Sequence, residues 1–207
     1  MEQWMEERLS QQIAFIAEID RLKGVLRQSL IMDGSRRENT AEHSWHIAVF
    51  AMLMHETASE PRPDLDRVIR MLLIHDIVEI DAGDTFAYDA AGYEDKEARE
   101  QAAAERLFGM LPSDQADEWM RLWREFEAGS TPEARYANAI DRLLPLLHNY
   151  YTGGVSWQRY DIVRSQVERR ISPVKTASPK LWRFAMQLLD RAVQKGILSA
   201  DDAGKGD

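Results

Sequence analysis

The chain contains no cysteine, and this absence removes several chemistries at once. Without a thiol there is no disulfide, no thiolate nucleophile and no cysteine-ligated zinc site. No run approaches the 18 or so apolar residues of a membrane span, and the N-terminal MEQWMEERLSQQ lacks the apolar core of an export signal. We therefore expect a protein of the reducing cytoplasm that does not interact with membranes.

Positive charge is also scarce. The chain carries 26 Lys and Arg against 35 Asp and Glu, which gives a formal net charge of −9. This balance does not provide the broad positive field on which nucleic-acid binders depend, so no nucleic-acid polymer is expected as a partner. At 207 residues the chain is long enough to bury a core without disulfides.

Strand signals are equally rare, whereas apolar residues at helical spacing recur along most of the chain. We find no convincing strand pair, no fixed-period repeat and no low-complexity linker. The sequence predicts a single all-α domain of about eight helices over residues 1–200, followed by a disordered tail at 201–207. The predicted helices cover approximately 11–27, 40–58, 64–80, 94–110, 113–128, 132–151, 157–170 and 178–195.

Two of these predicted helices carry histidine in or beside apolar runs. His43 follows a predicted Asn39–Glu42 capping box. His75 and Asp76 lie inside MLLIHDIVEI, a run typical of a buried helix. An ionisable pair is costly there unless it is paired, hydrogen-bonded or bound to a metal.

A third predicted helix repeats the pattern, with Asp141 inside YANAIDRLLPLL. Each residue alone has an ordinary explanation, such as a buried histidine bonded to a backbone carbonyl or an aspartate paired with an arginine. Jointly, His43, His75, Asp76 and Asp141 favour a metal site. Two imidazoles with two carboxylates suit one divalent ion such as Mn, Co, Fe, Ni or Zn better than Mg.

The order of these residues and the strings around them resemble a known family. RRENTAEHSWHIA resembles the pattern R-x-E-x-x-x-E-H-S, and LLIHDIVEIDAGD resembles H-D-x-x-E-x-x-x-G-D. Both patterns belong to the HD-domain metal-dependent phosphohydrolases, in the group of the bacterial 5′-deoxynucleotidases and their eukaryotic relatives. The resemblance extends from about Leu22 to Tyr150. It implies a helical HD-domain bundle, a metal-dependent phosphomonoesterase and a small phosphorylated substrate, in particular a nucleoside 5′-monophosphate.

The resemblance also implies a role for individual residues. It makes His43, His75, Asp76 and Asp141 the metal ligands. Glu79, one helical turn after His75, would orient or deprotonate the attacking water, and Asp84 would contact the sugar or protonate the leaving oxygen. Arg36 matches the arginine of the first pattern and would bind the phosphate through its planar guanidinium.

The sequence departs from the family in one place. The bacterial deoxynucleotidases carry an Arg-Trp pair upstream of the first histidine, and the tryptophan helps to exclude a ribose 2′-hydroxyl. Arg27 can stand for that arginine and is a second substrate-binding candidate, but Gln28 follows it. The resemblance therefore does not extend to selectivity for deoxyribose.

Three alternatives remain open at this point. The substrate could be another small phosphorylated metabolite or a cyclic nucleotide. The metal cage could belong to a non-catalytic regulatory module, or the same residues could form ion pairs in a metal-free scaffold. Elemental analysis of the purified protein separates the scaffold from the other two.

Other conspicuous residues have structural interpretations. His46 is expected to pack near the site, and His148 to occupy an ordinary amphipathic position. The acids from Glu94 to Glu100 are expected on a solvated face. The stripe of Trp119, Trp123 and Phe126 predicts core or a dimer interface, and with the extra terminal helices it is compatible with a homodimer.

Overall fold

In the computed structural model of the protein, residues 3–201 are described. The α-helices among them are α1 (Gln3–Ile19), α2 (Thr40–Met54), α3 (Leu65–Ile74), α4 (Glu79–Ala82), α5 (Lys96–Phe108), α6 (Ser113–Ala128), α7 (Pro132–Tyr151), α8 (Val155–Arg159), α9 (Arg164–Ile171), α10 (Val174–Ala177) and α11 (Pro179–Gln194). Two strands, β1 (Leu26–Leu30) and β2 (Arg37–Asn39), lie between α1 and α2. No helix in this part of the chain is both long and apolar enough to cross a bilayer.

The predicted all-α class is confirmed, and the helices begin where the sequence supplies caps. At the start of α2, the Asn39 side chain accepts a hydrogen bond from the Glu42 backbone N–H, and the Glu42 carboxylate accepts one from the Asn39 N–H. Thr131 caps α7 by accepting from the N–H of Ala134. These caps satisfy backbone donors that the first helical turn leaves unpaired.

The prediction for residues 11–27 is wrong at its C-terminal end. The helix α1 ends at Ile19, a 3-10 turn follows at Asp20–Gly24, and β1 then pairs antiparallel with β2. The expectation that the chain has no strand pair is therefore also wrong. The five residues of β1 show no alternation of burial, since Leu26 is exposed and Ser29 is buried, so the period-2 signal of a strand is missing.

Two other predicted helices are interrupted. The segment 64–80 changes to a 3-10 turn at His75–Val78 between α3 and α4. The segment 157–170 divides into α8 and α9, and the break includes Asp161 at a positive φ of 51°. Aspartate tolerates this left-handed conformation better than most residues, which explains why the chain can turn there.

The core is organised around α7, which packs against α2, α3 and α6. Trp123 and Phe126 of α6 are 4% and 5% exposed, so both belong to the core. Trp119 is half-buried and packs edge-on against Phe15, with ring centroids 5.2 Å apart. The prediction of core is therefore confirmed for Trp123 and Phe126, while Trp119 packs at the edge of the core. Because α7 is buried along much of its length, its polar residues meet those of α2 and α3 inside the molecule.

The predicted tail at 201–207 lies outside the described residues except for Asp201. The carboxylate of Asp201 accepts a hydrogen bond from the Ser165 backbone N–H at 2.9 Å. This contact places the end of the described chain beside the start of α9.

Candidate metal centre and active-site cleft

Three elements each direct one side chain to a common point in the interior. His43 comes from α2, His75 from the 3-10 turn after α3, and Asp141 from α7, and their donor atoms lie within 4.8 Å of one another. His43 Nε2 is 2.9 Å from Asp141 Oδ1, and His75 Nε2 is 3.8 Å from the same oxygen. Both imidazoles are almost fully buried. The structure therefore brings together residues that are 98 positions apart in the sequence.

The ring of His75 is fixed by the backbone. Its Nδ1 lies 2.9 Å from the carbonyl oxygen of Leu72, and because a carbonyl only accepts, Nδ1 carries the proton. The neutral ring then presents a lone pair at Nε2. This buried Nε2 has no hydrogen-bond partner, although Asp76 Oδ1 lies 3.0 Å away.

These donors fit a divalent metal ion. A lone pair at His75 Nε2 and the carboxylates of Asp76 and Asp141 converge in a buried space where they repel one another unless a cation lies between them. Without a metal, a proton takes that place. Burial disfavours the positive charge of a protonated His75, but the Asp76 and Asp141 carboxylates outweigh burial and raise the pKa of His75 well above its usual value. Two imidazoles with two carboxylates match the donor preference of transition ions.

A hydrogen bond to Glu38 holds the second imidazole. Glu38 is 1% exposed, and its Oε2 lies 3.2 Å from His43 Nδ1, which donates to it. This bond orients the ring so that Nε2 points at Asp141. A carboxylate behind a ligating histidine fixes the tautomer and raises the basicity of the ring. Sequence reasoning assigned no role to Glu38, although the matched R-x-E pattern contains it.

Arg27 pairs with the carboxylates of the site. From β1 its Nη1 donates to Asp76 Oδ2 at 2.9 Å and lies 3.7 Å from Asp84 and 4.0 Å from Glu79. Burial works against its charge, but these carboxylates outweigh burial and raise the pKa of the guanidinium. Its side chain is only 13% exposed. The sequence placed Arg27 in a helix, whereas the strand is what directs it into the cluster.

Glu79 and Asp84 lie on either side of a glycine turn. Glu79 Oε2 accepts a hydrogen bond from Thr40 Oγ1 at 2.9 Å, and Gly83 ends α4 at a φ of 74° before Asp84. Burial, reinforced by the Asp76 carboxylate, raises the pKa of Glu79 well above its usual value. Burial also raises the pKa of Asp84. Both groups therefore can hold a proton at a higher pH than an exposed carboxyl.

Two adjoining cavities of about 670 and 790 Å³, including space open to solvent, reach this cluster. Asp141 lines both cavities, Glu79 lines the larger one, and Gln28, Phe86 and Tyr88 line the smaller one. The basic side chains along the cavities are Arg27, Lys96, Arg142 and Arg170. A cleft with carboxylates and imidazoles at its base and cations on its walls can accept a phosphorylated molecule once a metal balances the acids.

Some predicted residues are not where the sequence placed them. Arg36 is exposed and forms a two-pronged ion pair with Glu42, at 2.5 and 2.8 Å, away from the cavities. The structure therefore does not bring Arg36 to the cluster. Among the acids from Glu94 to Glu100, which were expected on a solvated face, Glu100 is buried and lines the cavity. Its carboxylate can be buried because the Lys96 ammonium donates a hydrogen bond to it at 2.6 Å.

His148 was expected on an ordinary helix face, but it is 2% exposed. Burial lowers its pKa to about 4, so the ring is neutral at neutral pH. His46 is half-buried and lies beside it, with ring centroids 5.8 Å apart. Spacing along α7 could have suggested His148, since it lies on the same helix as Asp141, but no local pattern distinguishes a buried imidazole from an exposed one.

The fold and the cluster define a class of protein, namely a helical bundle with a buried imidazole–carboxylate group able to hold a metal ion. Within that class the chain belongs to the HD-domain family, because the family model described as HD domain matches residues 19–182. The resemblance inferred from the two sequence motifs is thereby confirmed.

Among curated relatives, the human 5'-deoxynucleotidase HDDC2 is 30% identical over 131 residues, which is 63% of this chain and 62% of that protein. The chain thus spans less than two thirds of the length of this relative. The fission yeast (Schizosaccharomyces pombe) 5'-deoxynucleotidase hdd1 is 27% identical over 192 residues, covering 90% of this chain and 86% of that protein. A crystal structure of a predicted metal-dependent phosphohydrolase from Magnetospirillum magnetotacticum MS-1 is 53% identical, with a TM-score of 0.87, and the match covers 92% of this chain and 98% of that one.

Proposed function

We propose that this protein is a metal-dependent phosphomonoesterase that hydrolyses nucleoside 5′-monophosphates to a nucleoside and inorganic phosphate. The observation that carries the proposal is the buried group of His43, His75, Asp76 and Asp141 at the base of a cavity with basic walls. Relatives named 5'-deoxynucleotidase support the substrate class, and the similar structure of a predicted metal-dependent phosphohydrolase supports the reaction.

The cleft has complementary parts for the two halves of a nucleotide. Arg27 and Arg142 lie near the acidic cluster, where guanidinium groups can pair with phosphate oxygens. In the smaller cavity, Phe86 and Tyr88 form an aromatic wall, and Phe86 packs against Tyr160 with ring centroids 4.5 Å apart. Aromatic faces of this kind can stack on a base.

In the proposed reaction, Glu79 removes a proton from the attacking water as the water oxygen bonds to phosphorus. The P–O5′ bond breaks, and Asp84 donates a proton to the leaving oxygen. The raised pKa of Glu79 makes it a stronger base than an exposed carboxylate, and that of Asp84 keeps more of it protonated. When bound by His43, His75, Asp76 and Asp141, a divalent ion supplies charge that polarises a phosphoryl oxygen and acidifies water.

We further propose that the ion is Mn, Co or another transition metal rather than Mg, since two of the four donors are imidazoles.

A homodimer is proposed as the assembly. Trp45, Met52 and Leu53 of α2 are each more than half exposed, and large apolar side chains exposed in this way favour an interface. Light scattering of the purified protein tests the dimer. A cytoplasmic location, proposed from the composition, is tested by fractionation.

The decisive experiment measures phosphate release from a panel of ribo- and deoxyribonucleoside 5′-monophosphates after chelation and after adding back each metal. We expect turnover that requires the added metal and a nucleoside 5′-monophosphate as the preferred substrate. Turnover of only a sugar phosphate or a cyclic nucleotide would replace the substrate and keep the metal chemistry. No turnover and no bound metal would favour the scaffold interpretation.

A further inference from the structure

A second group of metal-competent side chains lies on the opposite edge of the His43 ring from Asp141. Glu38, which contacts His43 Nδ1, is joined there by His46 of α2 and His148 of α7. One ligand atom from each of these three residues lies within 4.8 Å of the other two. Glu38 is thus shared between the proposed catalytic centre and a group of donors to which the proposed reaction assigns no role.

The central observation is an unpartnered nitrogen. His148 is 2% exposed, its Nδ1 is buried, and that atom has no hydrogen-bond partner among the described residues. Glu38 Oε2 lies 3.5 Å from it without forming a hydrogen bond. A buried polar atom without a partner is costly, so the fold keeps this nitrogen beside a carboxylate at a measurable expense in stability.

We propose that Glu38, His46 and His148 bind a second divalent ion of the zinc type, distinct from the ion proposed for catalysis. Two imidazoles and one carboxylate form a donor set that late transition metals prefer. His46 is half-buried, so it faces the surface, and solvent can complete the coordination from that side. The unpartnered His148 nitrogen then gains a partner, and the Glu38 carboxylate gains one in addition to His43.

The spacing suits such an ion with small adjustments. Donors about 2.1 Å from a tetrahedral ion lie about 3.4 Å from one another. The 3.5 Å between His148 Nδ1 and Glu38 Oε2 is already close to that value. The half-buried His46 can supply the remaining movement by rotating about its side-chain bonds.

Zinc stoichiometry of the full chain tests the proposal. Protein stripped with a chelator is dialysed against Zn²⁺, and bound metal is measured by mass spectrometry. We expect two zinc ions per chain in the wild type and one in His46→Gln, with an affinity loss for the second equivalent at least as large as the about 10- to 100-fold that follows loss of an outer-shell partner. His55→Gln is the matched control, because His55 contacts the Pro63 carbonyl and belongs to neither group; it should keep two.

The same measurement distinguishes this proposal from the proposed function. Asp141→Asn should lose the catalytic equivalent and retain the one held by His46 and His148. A wild type that binds a single zinc, or a His46→Gln variant that still binds two, would overturn the second site. Anomalous diffraction from a zinc-soaked crystal gives an independent readout, with a peak expected among the three side chains and its absence counting against them. Neither measurement depends on whether nucleotides are hydrolysed.

Discussion

The Nδ1 atom of His75 donates a hydrogen bond to the carbonyl oxygen of Leu72, three residues earlier, at 2.9 Å. The bond forms where α3 ends and the 3-10 turn begins, so the backbone itself sets the tautomer of the ring. The other nitrogen, Nε2, is directed at Asp76 and Asp141, and in the metal-free protein it carries the proton that a metal ion would displace. The orientation of this ligand is thus set by the backbone before any metal binds.

His75→Gln should therefore abolish tight metal binding. Glutamine is of similar size and remains polar, but it lacks the imidazole lone pair, so the remaining donors hold the ion weakly. We expect less than one catalytic metal per chain by elemental analysis after desalting, and a loss of phosphatase activity that high metal concentration partly restores. An unchanged metal content would show that His75 is not a ligand.

The sequence predicted the members of this cluster better than their surroundings. His43, His75 and Asp141 are visible because each is an ionisable residue in an apolar helical run, which is a local anomaly. The position of Arg27 depends instead on a short strand whose burial does not alternate. Glu38 of β2 and His148 of α7 are both buried by tertiary packing, and no single segment records which distant residues meet.

Arg36, in contrast, is a residue that the sequence predicted at the site and that the structure places outside it. Its motif position indicated a phosphate ligand, but its fork is occupied by Glu42, which also closes the capping box of α2. The local sequence predicts the cap correctly, and the cap then explains why this arginine is held outside the cavity. A motif match identifies the family, whereas the role of each matched residue depends on its packing.

Arg27→Met should destabilise the metal-free protein by about 3–5 kcal/mol, the usual cost of leaving buried charges without their partner. Asp76, Glu79 and Asp84 would otherwise repel one another in a space that excludes most water. Urea denaturation measures the effect, and added metal should recover part of it. Arg36→Met removes an exposed ion pair and serves as the control, with little change expected. Equal effects of the two substitutions would contradict this role for Arg27.

Two neighbouring glycines before α8 make a matched stability test. Gly153 and Gly154 both have positive φ, at 70° and 75°, so alanine is strained at either position. A Cβ on Gly153 meets nothing within 4 Å, whereas one on Gly154 would lie 2.0 Å from the Ile197 carbonyl oxygen. Gly154→Ala should therefore lose about 1–3 kcal/mol more than Gly153→Ala in denaturant melts. Similar losses of unfolding free energy in the two variants would mean that the segment around Ile197 moves away from the added Cβ at little cost.

Gln28 follows Arg27 at the position where the bacterial deoxynucleotidases carry tryptophan, so we expect the active site to accept ribonucleotides as well as deoxyribonucleotides. Gln28 lines the smaller cavity, and its Oε1 accepts a hydrogen bond from Tyr160 at 3.0 Å, so its amide nitrogen can donate to a sugar hydroxyl. We expect kcat/KM values for a ribonucleotide and its deoxy counterpart to differ by less than about 100-fold. Gln28→Trp should shift the ratio toward deoxyribose by steric exclusion of the 2′-hydroxyl. A strong deoxy preference in the wild type would assign the discrimination to another residue.

Glu79→Gln should separate metal binding from catalysis. The amide keeps the size of the side chain and its contact with Thr40 but cannot accept a proton from water. We expect a loss of 10²- to 10⁴-fold in kcat with unchanged metal content. In the wild type, burial and Asp76 raise the pKa of Glu79, so the base is protonated and inactive at low pH and kcat rises as pH increases through that pKa. This rising limb should vanish in Glu79→Gln. Thr40→Val removes the hydrogen bond that lowers the pKa of Glu79, together with the longer contact of the same hydroxyl with the Val25 carbonyl, so it should keep the limb but move it to higher pH. A full limb in Glu79→Gln would assign the base to another group.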